Sequence, residues 1–254
     1  MSSPPRLLFH TEDGLAVPAV SIEEMREVDR VAVEDTGPAL LQMMEHAGLN
    51  LALLAIEMLG GEWWRARVIV LAGSGGNGGG GICAARHLAN RGVGVLAVTA
   101  ERPSATDGAL AQQLMALGEA PARVIPFSEA FDITEAHLVI DAVTGYGLDG
   151  APRGAAMALI RAAAAARAPV LSLDVPSGID ADSGKAAGVS VRPAATLTLA
   201  LPKRGLREEN AGQLWLADLG IPPGVYARAG LAFKPPFGAS TRVRLRYPEA
   251  KPRR

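Results

Sequence analysis

The sequence predicts an α/β protein: a mostly parallel β-sheet lies between two helical layers as a three-layer αβα sandwich, with two extra helices ahead of the first buried strand. Three observations lead there. Short runs of aliphatic residues such as 68–72 (VIVLA) are apolar throughout, as strands buried on both faces are. From there to about residue 217 such runs alternate with segments whose apolar residues recur at helical spacing, the rhythm of a parallel sheet with right-handed crossovers. The first run ends in seven glycines among nine residues, 73–81, followed at once by a helical pattern.

Taken in order, residues 1–18 read as irregular, punctuated by Pro4, Pro5 and Pro18. Ser21 and Glu24 form a capping-box pattern that predicts a helix over 22–35. Gly37-Pro38 breaks it, and Leu40, Leu41, Met44, Ala47, Leu51 and Leu54 predict a second helix over 39–58. After strand 68–72 the glycines read as a turn into a helix whose apolar spacing starts at Ile82. Next come a strand at 93–99, a helix at 106–117, a short strand at 123–126 and a weak helical segment around 128–136. A strand at 137–141, an alanine-rich helix at 153–167 and strands at 169–174, 195–201 and 213–217 complete the rhythm. The whole of 1–254 reads as one domain, with a core of about 20–225 and an irregular, basic C-terminal tail in which 241–247 alternates like an edge strand.

Composition narrows the function classes. The chain has 254 residues, 49% of them hydrophobic and 20% charged, as globular proteins do. A net charge of −1 gives no electrostatic ground for a nucleic-acid partner. The single cysteine, Cys83, excludes an internal disulfide framework and fits a reducing compartment. The N-terminal stretch lacks the apolar core of a signal peptide, and no run is long and apolar enough for a membrane span, so the expected location is the cytoplasm, away from membranes.

Open parallel sheets bind ligands beyond the carboxyl ends of their strands. The first predicted strand ends in the glycine loop, where a helix start offers N–H groups and a positive dipole end to an anion. Two later strands end in Asp141 and Asp174, so neighbouring strands would bring both carboxylates to one crevice with the glycines. Asn77, Asp141 and Ser177 offer hard oxygen ligands, suited to an alkali or alkaline-earth ion. With four scattered histidines, a soft-metal site has little support.

Gly73, Gly75 and Gly78 satisfy the G-x-G-x-x-G of a Rossmann-like dinucleotide site. The acidic residue expected about 20 positions on is displaced, since the first candidate is Glu101, 28 positions after Gly73. No Lys-Ser/Thr follows the glycines, which excludes a P-loop. Ser177 sits in Pro-Ser-Gly and not in a nucleophile elbow, which argues against a hydrolase. Cys83, His46, His87 and the Trp63-Trp64 pair read better as packing or surface residues than as chemistry. Lys203, after a strand in Leu201-Pro202-Lys203, reads equally as an anion contact in the crevice or as a solvated lysine.

Together these motifs resemble the NAD(P)H-hydrate epimerase family, the N-terminal-type domain of the bifunctional hydrate repair proteins. The likeness covers about 20–225 and rests on the glycine loop with Ala84-Ala85-Arg86-His87-Leu88, the loop from Asp141 to Gly150, the segment from Asp174 to Asp180, Met43-Met44-Glu45-His46-Ala47-Gly48, and Leu201-Pro202-Lys203. The resemblance implies epimerisation of the R and S forms of hydrated NADH or NADPH. Asp174 would be the acid/base and a substrate contact. Gly76, Asn77, Gly78, Gly79 and Gly80 would hold the dinucleotide, as would Gly145, Tyr146, Gly147, Leu148, Asp149, Gly150 and Ala151. Asn77, Asp141 and Ser177 would bind a potassium ion, and the extra N-terminal helices would serve a homodimer. The chain departs from the family pattern at Gly76 and Gly80, where an Asn and an Asp are usual, and at Tyr146, where a small residue is common. The dehydratase half of bifunctional relatives is not expected after residue 225. An NAD(P)-dependent oxidoreductase and a non-catalytic nucleotide-binding or scaffold protein of the same fold stay open as alternative readings.

Overall fold

A computed structural model describes residues 6–102, 107–127, 133–186 and 188–248. Its ten-stranded sheet runs in the order β2-β1-β10-β9-β8-β7-β6-β3-β4-β5. The parallel part comprises β3 (Arg67–Ala72), β4 (Gly94–Thr99), β5 (Ala122–Pro126), β6 (Leu138–Ala142), β7 (Val170–Leu173), β8 (Ala195–Leu199) and β9 (Gln213–Ala217). Its order reverses between β3 and β6, the switch point beside which ligands bind in such sheets.

The alternation of a strand sorts its side chains between two faces. Val68, Val70 and Ala72 join one apolar cluster with α1 (Ile22–Arg30), α2 (Leu40–Leu59), α3 (Gly76–Ala89) and α4 (Gly108–Gly118). Ile69 and Leu71 pack on the other face against Leu159, Ile160 and Ala163 of α5 (Gly154–Ala165). Three layers result, as the sequence predicts. The capping box at Ser21 and Glu24 forms in full, and α1 runs on through wider turns at Val31–Thr36 before Gly37 ends it.

The structure corrects four details. Residues 8–11 and 16–18 are not irregular: β1 (Leu8–Thr11) and β2 (Ala16–Pro18) pair antiparallel, each too short to display a period. Pro18 is tolerated because β2 is the outermost strand, where a missing N–H breaks no ladder. The tail strand β10 (Arg242–Arg246) is internal, paired to β9 on one side and β1 on the other, so its outward arginines decorate a sheet face and not an edge. Of the helical segment expected around 128–136, residues 128–132 lie outside the described residues, and 133–136 form a turn closed by Ala136 N–H to the Ile133 carbonyl at 3.2 Å. Finally, α3 begins at Gly76, six residues before its first large apolar side chain, so most of the glycine loop is helix. Two short helices, α6 (Glu208–Ala211) and α7 (Pro223–Arg228), were not signalled by periodicity.

The early start of α3 has a packing reason. Gly78, Gly79, Gly80 and Gly81 are buried, and a Cβ on Gly81 would stand 2.5 Å from the Ala142 Cβ on β6. A stripe of hydrogen atoms lets the helix settle directly on the sheet. Gly76 differs: a Cβ there would meet nothing within 4 Å, because this first helical residue borders open space.

Candidate active site

That open space is a cleft of about 590 Å³ above the carboxyl ends of β3, β6 and β7. Its floor is the start of α3 and the loop after β6; its walls come from α1, α2 and the ends of β7 and β8. The N-cap of α3, Gly75, supplies no side chain to the first N–H groups, which leaves that positive end to a ligand.

Asp174 follows β7 with φ of 66°, a left-handed backbone that costs a non-glycine residue energy and is held here by its N–H donating to the Leu197 carbonyl at 2.7 Å. Among the described residues Ala200, with φ of 59°, is the other non-glycine in this region, and both line the cleft. One Asp174 carboxylate oxygen accepts the Tyr146 N–H at 2.9 Å, and the other is ion-paired to the Lys203 ammonium. Lys203 is 1% exposed, donates also to the Leu199 carbonyl at 2.8 Å, and lies 5.4 Å from the centroid of the Tyr146 ring. The surface reading of this lysine is thereby overturned.

Asp29 was not among the residues expected at the site. From α1, this residue accepts a short hydrogen bond from the Tyr146 hydroxyl. Burial raises its pKa, the charge of Asp174 adds to the rise, and the Tyr146 hydrogen bond and Lys203 oppose it. Burial, then the Asp29 charge, pushes the Tyr146 hydroxyl well above its ordinary value, so it stays a neutral donor. A signal did exist: Asp29 interrupts the stripe of Met25, Val28 and Ala32, where an apolar residue would ordinarily stand.

A second network lies behind the cleft. Asp141 shares its row of the sheet with Leu71 and Ser172, so its carboxylate stands on the α5 side, fully buried. It accepts the Ser172 hydroxyl at 2.7 Å and the Ser177 N–H at 2.9 Å, and burial raises its pKa. The Ser177 hydroxyl accepts the Thr144 N–H at 2.8 Å and lies 3.2 Å from the Thr144 carbonyl, to which the Asn77 amide nitrogen also donates at 2.9 Å. Asn77 and Ser177 thus meet at Thr144, and Ser177 carries the link on to Asp141. Hard oxygens gathered around a buried carboxylate that has only neutral donors fit a monovalent cation, whose charge would offset the cost of burying Asp141.

Of the residues expected to touch substrate, Gly76, Asn77, Gly80, Gly145, Tyr146, Gly147, Leu148, Asp149 and Asp174 line the cleft. Gly145 fits tightly there, since a Cβ on it would stand 3.0 Å from an Asp174 carboxylate oxygen. Gly78 and Gly79 are covered by packing, and Gly150 and Ala151 lie beyond the rim. Elsewhere, Cys83, Glu45 and His87 come together, yet the Arg86 guanidinium already holds Glu45 at 2.6 Å and burial pushes the Cys83 thiol up to about 12. Trp63 and Trp64 pack edge to face, 5.8 Å apart. Glu101, the carboxylate that a Rossmann-like redox site would place on the ribose, is absent from the cleft wall.

Comparison with known proteins agrees with this architecture. The family model described as YjeF-related protein N-terminus matches residues 40–205. An NAD(P)H-hydrate epimerase of Dehalogenimonas lykanthroporepellens is 50% identical over 241 residues, covering 94% of this chain and 97% of its own. One of Weissella koreensis is 34% identical over 80% of this chain and 91% of its own length. The bifunctional NAD(P)H-hydrate repair enzyme Nnr of Moorella thermoacetica is 32% identical over 80% of this chain but only 40% of its own. Among solved structures, the yeast protein ynu0 superposes with a TM-score of 0.78 at 24% identity, covering 89% of this chain and 99% of its own, which establishes the shared fold. No helix among the described residues is long and apolar enough to cross a membrane. With more than half of its length matched by the family model and a relative of equal span at half identity, the chain belongs to the NAD(P)H-hydrate epimerase family, that of the YjeF-related protein N-terminus.

Proposed function

We propose that this protein interconverts the R and S forms of hydrated NADH and NADPH, with Asp174 moving the proton. The observation that carries the reading is the Asp174–Lys203 ion pair, buried yet facing a cleft whose floor is a glycine-lined helix start. The substrate's reacting ring carbon bears a hydroxyl and lies beside the ring nitrogen. A proton supplied to that hydroxyl lets it leave as water while the nitrogen lone pair stabilises the carbon; water then returns to either face. Lys203 keeps the Asp174 carboxylate compensated away from solvent, and the Tyr146 N–H fixes its orientation. The open positions at Gly75 and Gly76 admit the dinucleotide phosphates to the N–H groups of α3. A potassium ion, held by Asn77, Asp141 and Ser177, would supply positive charge that steadies the loops after β6 and β7. We extend the reading to a cytoplasmic homodimer, on the strength of the family resemblance and the single cysteine.

Chiral chromatography of a hydrated NADH mixture, followed with and without protein, tests this directly. The protein should bring the two epimers to equilibrium faster than the spontaneous drift. Asp174→Asn should slow that rate by about 10²–10⁴-fold, the usual worth of a positioned acid or base. A full-speed Asp174→Asn enzyme refutes the assigned role.

A further inference from the structure

We propose that Asp29 is a second proton-handling carboxyl group of this cleft, serving the face of the substrate ring opposite to that served by Asp174. The inference rests on the epimerase reading and deepens it. Its ground is a chain of contacts: Asp174 accepts the Tyr146 N–H at 2.9 Å, and the hydroxyl at the far end of the same tyrosine donates to Asp29. The two carboxyl groups therefore hold opposite ends of one tyrosine, one entering from the strand ends and one from α1, and both line the cleft.

The chemistry requires such a pair. On one face the hydroxyl takes a proton from a carboxyl group as its bond to carbon breaks, the nitrogen lone pair closes onto that carbon, and water departs. On the other face water adds through an oxygen lone pair, the C=N electrons return to nitrogen, and the surplus proton passes to a carboxylate. One proton is consumed and one released, on opposite sides of a planar centre, and the reverse epimerisation exchanges the two roles. Inverting glycosidases solve the same problem with two carboxyl groups about 6.5–9.5 Å apart, leaving room for the sugar carbon and the water.

The two groups also have different partners. Lys203 compensates Asp174, whereas the hydrogen-bond partner of Asp29 among the described residues is the neutral Tyr146 hydroxyl. The charged and titratable groups facing Asp29 are Tyr146, Lys203 and Asp174, with Arg26 on its own helix and Tyr226 of α7 beyond. Burial and Asp174 favour its protonated form, so one acid and one base can coexist in the cleft. Asp29 lies ahead of residues 40–205, outside the stretch matched by the family model.

The test measures kcat and KM for epimerisation against pH in the full-length protein and in Asp29→Asn, Asp29→Glu and Tyr146→Phe. Asp29→Asn should lower kcat by 100-fold or more while KM changes less than about threefold and the melting temperature holds. The limb of the pH profile that belongs to Asp29 should vanish, and Asp29→Glu should restore it. In Tyr146→Phe, Asp29 loses the donor that favours its ionised form, so that limb should move to higher pH. The proposal is overturned if Asp29→Asn keeps kcat within threefold, or if kcat and melting temperature fall together with the shape of the pH profile unchanged. An inactive wild-type protein would instead sink the epimerase reading, and this inference with it.

Discussion

Asp174 and Asp141 are both nearly withdrawn from solvent, at 3% and 0% exposure, and lie beyond or at the ends of adjacent strands, yet the fold treats them in opposite ways. Asp174 receives a lysine and a single backbone N–H and looks into the cleft. Asp141 receives hydroxyl and N–H donors only, on the α5 side of the sheet, and does not line the cleft. A carboxylate paired with an ammonium at a cleft wall is placed to meet a ligand. One satisfied by neutral dipoles holds loops in place and draws either a proton or a cation.

The largest effect that would sharpen this contrast is removal of the lysine. Lys203→Met leaves Asp174 buried without its counter-charge and should cost about 3–5 kcal/mol, the usual penalty for breaking a buried pair from one side. Asp174→Asn in the same background should recover much of the loss. Urea unfolding of the two single variants and the double variant reads the coupling, and additive costs would break the comparison.

Next in size is the cation. If Asp141 anchors potassium, KCl should stabilise the fold by as much as about 2.7 kcal/mol at a hundredfold excess over Kd, seen as a higher melting temperature than in choline chloride of equal ionic strength. Asp141→Asn should abolish the difference. Equal melting in both salts would leave Asp141 as a hydrogen-bond hub alone.

The glycines of α3 offer a parallel test of packed against open. Gly81→Ala drives a methyl into Ala142 and should destabilise by about 1–3 kcal/mol. Gly76→Ala enters free space and should leave stability within about 1 kcal/mol, while weakening nucleotide binding measured by calorimetry. Equal stability losses would show that both glycines serve packing.

The smallest effect concerns Glu45, far from both acids. Burial would raise its carboxyl, but Arg86, Cys83 and His87 together hold it at about 2. Its folded value lies below its unfolded one near 4.5, so the stabilisation is complete above that pH and fades as pH falls towards 2. Asp141, raised by burial, has the opposite sign: its ionisation subtracts stability as pH rises. Melting curves of Glu45→Gln and wild type should therefore differ at pH 6 and converge near pH 2.

Much of this was legible in order along the chain. Strand 68–72, the helix after Ser21 and the acids at the strand ends announce themselves through period, cap chemistry and position, because each depends on neighbours a few residues away. The helical state of Gly78–Gly81 was not legible, since glycine carries no helical signal; Ala142 and the other groups packed above it set the requirement for no side chain. β1 escaped, and β10 was read as an edge strand, for a related reason, each gaining its place from a partner at the other end of the chain.

The sequence by itself determined the layered α/β plan, the switch-point glycines and the identity of Asp174, Asn77, Asp141 and Ser177 as the polar groups at the strand ends. Only the tertiary structure decided their partners. Lys203 meets Asp174 across 29 residues and Tyr146 meets Asp29 across 117, pairings that no local period encodes. A side chain's charge is written in the residue, but what compensates that charge depends on which distant segments the sheet and its helices bring alongside it.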